Sequence, residues 1–516
     1  MLKRIKTALP LLLCCVWACT PSAHQEEDDG EKQPVFQSFV IEKAHNPALA
    51  EDVICRIEGQ TIIGVCPGIE YGAPLVPSFS GEFESVIVDG VPQLSGETAV
   101  DSRHTLYYHL WSSSGAQTSY KVSLITGNGL PVVSVTTDGT EPVKKDVKIS
   151  SLVTISNTAD KNLEERQATI KVRGNATSGY PKKPFKIKFS AKETPLGYSS
   201  NKDWVLLAEY SDKSLLRNAW MFEVSRAVEM KYTPPYEFVE LYMNGEYRGV
   251  YVFTDQIEDG KNRINIAKDG FIVQNDNALS DVDFYFTTKR KKYNYRFKYP
   301  DQDDGDITPE DEDWKYMENY FNTLEEVLYS EDFTNPETGY RAYIEPRSFA
   351  KWYLVFELTL NYEPNIYFVM DHKGDKLELY PAWDGEWSLG LAYRPEAYGG
   401  WLRYPEGTPK PDDVFWSRGK YLGRLFDDPD FVSLVKEEWA QLKPKLPGVK
   451  ENIRAAVQRL QYAQDANFKR WPILHSDTHI GVGLIAFDTW KEEVDYTFDV
   501  FETRIKTIEA YLQSIQ

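Results

Sequence analysis

The stretch Lys171–Phe189, KVRGNATSGYPKKPFKIKF, decides how the rest of the chain is read. Phe185, Ile187 and Phe189 alternate with Lys186 and Lys188, which predicts a strand with one apolar and one cationic face. Ahead of it, Arg173-Gly174-Asn175 supplies a turn where backbone can approach a ligand closely. Its guanidinium suits bidentate contact with a phosphate. Taken alone, the segment is a half-buried strand with solvated lysines.

The complementary stretch lies later. ELTLNYEPNIYF, Glu357–Phe368, is followed by KLELYPAWDGEWSLG, Lys376–Gly390. Asn361 and Glu363 precede a hairpin-like segment, and Asp384 and Glu386 follow it beside Trp383. Hard oxygen ligands spaced in this way suit Mg²⁺, while another carboxylate orients a hydroxyl for phosphoryl transfer. A strand lysine facing a cleft is how protein kinases hold nucleotide phosphates. The bland alternative is a core tryptophan and a turn aspartate.

The whole chain has 516 residues, enough for two or three domains, and a formal charge of −20. That excess disfavours nucleic acid and anionic lipid, so a polyanion would have to meet a local basic pocket. The first 18 residues combine Lys3, Arg4 and Lys6 with a short apolar run, a secretory signal too short to span a bilayer. Ala18 before Cys19 resembles a lipobox, with Cys19 lipidated and the protein anchored to the bacterial cell envelope, at the outer membrane or cell surface. Residues 19–34 form an acidic tether. Once the leader is removed, Cys55 and Cys66 remain beside Cys19, either as one disulfide or as two buried thiols.

Residues 35–127 carry short alternating runs broken by Gly, Pro and Ser-Gly, which suggests a small antiparallel, immunoglobulin-like sandwich. Residues 128–283 continue as strands, with Asn244-Gly245 a hairpin signal and a helix expected over Ser214–Met230. From residue 284 to 516 the pattern turns largely helical. Thr308-Pro309 opens one helix, and Val494, Phe498, Phe501, Ile505, Ile508 and Leu512 mark another. The expected fold class is α+β with two lobes.

Four ordered blocks carry a resemblance to a known family: RGN…YPKKPFKIKF, KDWVLLAEYSDKSLLRNAWMFEV, FVELYMNGEYRGVYVFTDQIEDGKNRINI and PAWDGEWSLG. Together they resemble the CotH spore-coat kinase family. The resemblance implies an atypical protein-kinase-like fold that binds ATP with Mg²⁺ or Mn²⁺ and phosphorylates Ser or Thr on secreted or coat proteins. It makes Lys188 the phosphate lysine, with Lys186 on the same face and Glu223 as an ion-pair partner, and sets Arg173 near the phosphates. Asp255, Gln256 and Ile257 would contact the base. Asn361 and Glu363 fall on the catalytic Asn-x-Asp element, and Asp384 and Glu386 on the metal-binding Trp-Asp-x-Asp. Glu363 and Glu386 stand where better-known members have Asp, which keeps the charge but adds a methylene.

The segment FYFTTKRKKYNYRFKYP, with Tyr293, Tyr295, Phe297 and Tyr299 alternating, reads either as an exposed hairpin or as a surface presenting an acidic substrate or a glycan. There is no Walker A loop, no Gly-x-Ser-x-Gly elbow and no His-Glu-x-x-His helix. Two functions follow as expectations. One is a lipid-anchored kinase-like enzyme acting on an extracytoplasmic protein. The other is a non-catalytic surface lipoprotein binding glycan or protein.

Overall fold

The computed structural model describes residues 33–139, 141–145, 147–275, 284–302, 305–361, 365–391, 421–475, 478–479, 482–483 and 487–515. The leader with Cys19, most of the tether, and Glu363 lie outside the described residues.

The chain is mixed α+β, and its first strands form two main sheets. One holds Val53–Ile54, Val35–Ile41 and Pro77–Glu82; the other runs Arg56–Glu58, Thr61–Val65, Gln117–Ile125, Leu106–Trp111, Ser85–Val88 and Val91–Pro92. Between them Phe36, Phe39, Phe79 and Tyr108 pack largely edge to face. The expected antiparallel pattern fails at one ladder, since Gln117–Ile125 pairs parallel with Thr61–Val65. Alternation gives a strand's buried face but not its direction. Cys55 and Cys66 are free and buried, and burial pushes both thiols up to about 12. Asn157 ties these sheets to the next unit: its side chain bonds Thr126 N (2.7 Å), Thr126 O (2.9 Å) and Leu130 O (2.7 Å).

Seven strands then close a barrel in the order Val132–Thr137, Ile149–Ser156, Leu163–Val172, Phe185–Glu193, Asn201–Leu207, Glu246–Asp255 and Tyr236–Met243. The last pairs parallel with the first. Phe185, Ile187 and Phe189 are buried in the barrel core with Trp204, Tyr251 and Phe253, and Lys186 and Lys188 lie on the other side, as alternation requires. Asn244 and Gly245, both at positive φ, form the hairpin turn between Tyr236–Met243 and Glu246–Asp255. On the outer side Val205, Phe238, Val250 and Val252 join the core of the helical part.

The described helices are α1 (Arg217–Ala227), α2 (Glu312–Leu328), α3 (Pro346–Leu358), α4 (Leu422–Leu425), α5 (Pro429–Leu442), α6 (Leu446–Leu460), α7 (Ala463–Arg470) and α8 (Trp490–Ser514). Helix α1 is shorter than the expected Ser214–Met230, because Ser214 is spent on the turn before it. Helix α2 starts after Asp311, whose carboxylate accepts from Thr308 N and Oγ1, so Thr308 belongs to the preceding turn. A capping box between Thr489 and Glu492 starts α8.

The region after residue 284 is less helical than its pattern suggests. A five-stranded sheet runs through it, in the order Phe286–Thr287, Asn294–Tyr299, Phe271–Asn275, Ile366–Met370 and Glu378–Leu379. The aromatic-basic segment forms the expected hairpin with an exposed basic turn at Lys289–Lys292, but its aromatic row does not form a presenting surface. Tyr295 and Phe297 are buried in that sheet, Tyr295 stacking on Phe321 of α2 at 4.2 Å and meeting Tyr421 at 3.0 Å.

Arg504 of α8 and Glu357 of α3 are fully buried, with Arg504 Nη2 2.5 Å from Glu357 Oε1 and Nε 2.9 Å from Glu357 O. Removing one partner strands a charge in the core. Arg504→Met should therefore cost about 3–5 kcal/mol. Adding Glu357→Leu should recover much of the loss, as measured by urea unfolding.

Candidate functional site

The Arg-Gly-Asn turn is closed by Arg173 N donating to Pro184 O (3.1 Å). Gly174 sits at φ +86, and a Cβ there would come within 2.1 Å of Thr177 Oγ1, so only glycine makes this turn. Arg173 then extends to the Trp383 ring, at 5.9 Å. Burial holds its guanidinium below the usual value, and the neighbouring Tyr367 and Asp384 act against that.

The acidic loop is held from three directions. Trp383 is buried against Phe222 of α1, with ring centroids 6.2 Å apart. Asp384 is exposed, at φ +70. Its Oδ2 accepts from Asn365 Nδ2 (2.7 Å), and Asn365 accepts in turn from Gln274 of the five-stranded sheet (2.7 Å). Asn361 Nδ2 donates to the carbonyl of Asp384 (2.7 Å). Gly385 N donates to Asn218 Oδ1 (2.8 Å), and a side chain at 385 would press on Asn218, Met221 and the Arg217 carbonyl at 3.1–3.2 Å. Glycine thus lets the loop lie against the start of α1.

Glu386 points into the protein, and its Oε1 accepts from Ser211 N (2.8 Å). Burial pushes its carboxyl up to about 7; Asp384 and Asp212 add to the rise, and the Ser211 N–H opposes it. Close by, Glu209 is raised well above the ordinary carboxylate range, chiefly by burial and then by Glu386 and Asp212. Two buried carboxyls so placed titrate as a pair. Lys182 is also buried, its Nζ donating to Val250 O and to Asn467 Oδ1 (2.9 Å). Burial lowers it to about 7, although Glu209, Glu386 and Asp212 favour its charge.

The structure therefore brings Arg173, Asn361, Asp384 and Glu386 together. Lys186 and Lys188 meet Asp203 on the neighbouring strand, at 2.9 and 3.9 Å. The segment Asp255–Ile257 lies beside that strand: Asp255 pairs with Arg263 (3.2 Å), and Arg263 also bonds the Asp203 carbonyl. Gln256 is half-buried and Ile257 buried. The expected Lys188–Glu223 pair is not formed, because Asp203 lies directly across the ladder from Lys188. Glu223 accepts instead from Arg226 (2.7 Å), Tyr236 (3.0 Å) and Asn452 (2.8 Å).

Sequence reading singled out neither Lys182, Glu209, Asp212 and Asn218 nor Asn365. Four lie within the quoted blocks, in YPKKPF and AEYSDKSLLRN, and the polar density of the second, unusual just before a buried helix, was the available signal. Among the described residues, no group of three or more His, Cys, Asp or Glu side chains stands at metal-holding geometry.

The family model described as CotH kinase protein matches residues 170–508, which includes the barrel strand, the acidic loop and most of α8. No curated protein matches the chain.

Between pH 4.5 and 7 folded Glu386 keeps a proton that the unfolded chain releases, so its contribution to stability is lost as pH rises through this window. Lys182 acts oppositely above about 7, where the unfolded chain binds the extra proton and stability rises with pH. In metal-free buffer Glu386→Gln should flatten the decline between pH 5 and 7, an effect on the order of a few kcal/mol. Urea unfolding at a series of pH values checks it.

Proposed function

The chain belongs to the CotH kinase family, and from that premise we propose that it is a lipid-anchored enzyme transferring phosphoryl from ATP to Ser or Thr of an extracytoplasmic protein. The observation that carries the reading is the placement of Arg173, from the barrel's edge, over Trp383 and near Asp384 of the loop against α1. On this reading the barrel and the helical part are the two lobes of a protein-kinase-like domain. The first sheets are an immunoglobulin-like spacer, and Cys19 carries the anchor in the cell envelope.

The residues fit nucleotide with a divalent cation: an exposed carboxylate at Asp384 with the Arg173 guanidinium near it, and a second, buried carboxyl at Glu386 two residues on. Asp384 and Glu386 would hold Mg²⁺ or Mn²⁺, which when bound neutralises phosphate charge. Arg173 binds and orients the phosphates. Lys186 and Lys188 contribute positive charge on their strand, with Asp255, Gln256 and Ile257 beside the base. Asn361 holds the Asp384 backbone in place, and Glu363 accepts the proton of the attacking hydroxyl.

One observation favours a second reading. Asp203 already neutralises Lys186 and Lys188, as a protein that binds glycan or another protein without catalysis could afford.

ATP at 100 times its Kd should stabilise the fold by roughly 2.7 kcal/mol. In a thermal-shift series that rise should need Mg²⁺ and vanish in Asp384→Ala; no shift at millimolar ATP would favour the binding protein. With labelled ATP, Glu363→Gln should nearly abolish transfer to envelope proteins while sparing ATP binding. Cys19→Ser should move the protein from the membrane fraction to the soluble one, and unchanged fractionation would refute the anchor.

A further inference from the structure

The segment entering α1 carries a carboxylate that the proposed transfer does not use. Glu209 is 1% exposed and held at φ +49. Its Oε1 accepts from Asn218 Nδ2 (2.7 Å), but among the described residues no donor reaches Oε2. A buried oxygen without a partner calls for an explanation in terms of what meets it in the working protein.

The surrounding groups narrow the answer. Asn218 bonds both Glu209 and the backbone of Gly385, next to Glu386, and Glu386 itself accepts from Ser211 N, two residues on from Glu209. Both oxygens of Asp212 are occupied, by Ser214 N and Oγ and by Arg217 N and Nη1. Lys182 directs its ammonium to Val250 O and Asn467 Oδ1, and Arg217 uses Nε on the Ser388 carbonyl. The bonds of these cations go elsewhere, and among the described residues Glu209 Oε2 is left without a partner on a segment tied to the Glu386 loop through Asn218 and Ser211.

We propose that Glu209 is a metal ligand that holds a divalent cation together with Glu386. Two carboxylates suffice for a magnesium-type ion, whose remaining positions go to water and phosphate oxygens. The inference rests on reading Glu386 as a metal residue and adds the group that completes it from the barrel side. Glu209 would thereby couple the metal to Asn218, which also holds Gly385.

The test titrates Mn²⁺ alone into the full chain and reads the free-ion electron paramagnetic resonance signal. Wild type should bind, and Glu209→Gln should weaken binding by at least about tenfold. Glutamine still offers an oxygen to Asn218, so a merely structural Glu209 predicts unchanged affinity. That result would overturn the proposal and leave the kinase-like reading standing. Wild type that binds no Mn²⁺, with or without ATP, would overturn both. If Glu209→Gln does not fold, Glu209→Asp decides alone: severalfold weaker Mn²⁺ binding supports the proposal and equal binding sinks it.

Discussion

Asp212 and Arg217 are both completely buried, and the pair sets the geometry of everything around the acidic loop. One carboxylate takes four donors, from Ser214 N and Oγ and from Arg217 N and Nη1, which shapes the turn that starts α1. The same guanidinium reaches the Ser388 carbonyl at 2.8 Å and so fixes the far end of Trp383–Leu389. From α8, Trp490 Nε1 donates to Ser214 O (3.0 Å). A buried ion pair repays its desolvation only where the remaining lone pairs and protons are met; here the Asp212 oxygens and Arg217 Nε and Nη1 are met, while Arg217 Nη2 has no partner among the described residues. Barrel exit, α1, acidic loop and α8 are thereby referred to one point.

That fixed frame lets the molecule bury ionisable groups that would otherwise be expelled. Glu209, Glu386, Lys182 and Arg173 all have ionisation disfavoured by burial. In water they would adjust by moving apart or recruiting solvent. Here Gly385 against α1 and Gly174 in its closed turn hold the backbone so near that neither loop can retreat. Strain of this kind, which also includes Asp384 and Glu209 at positive φ, persists only where the surroundings over-determine it.

What the sequence made legible follows from how local each signal is. The alternation of Phe185, Ile187 and Phe189 reports a strand through its own side chains, and the capped, periodic α8 likewise. Alternation at Tyr293–Tyr299 was just as clear, yet its environment depended on α2 closing over it, which no local pattern contains. The partner of Lys188 depended on the ladder register that brings Asp203 across. Lys182 and Glu209 were illegible for the same reason. Each is a single polar residue in a turn, and its meaning comes from Asn467 and Glu386, far along the chain.

The residue at 386 shows how a departure from a family pattern can belong to a site. Glu386 reaches from its own loop to the Ser211 N–H, on the segment bringing Glu209 out of the barrel. An aspartate would end one methylene short, leaving a buried N–H without its acceptor and loosening the tie between the two segments. The longer side chain is thus matched to the spacing set by Asp212, Arg217 and Gly385. The tie to Ser211 asks only for an acceptor at this reach, which a glutamine would also supply; the carboxyl itself adds the desolvation cost of a buried ionisable group.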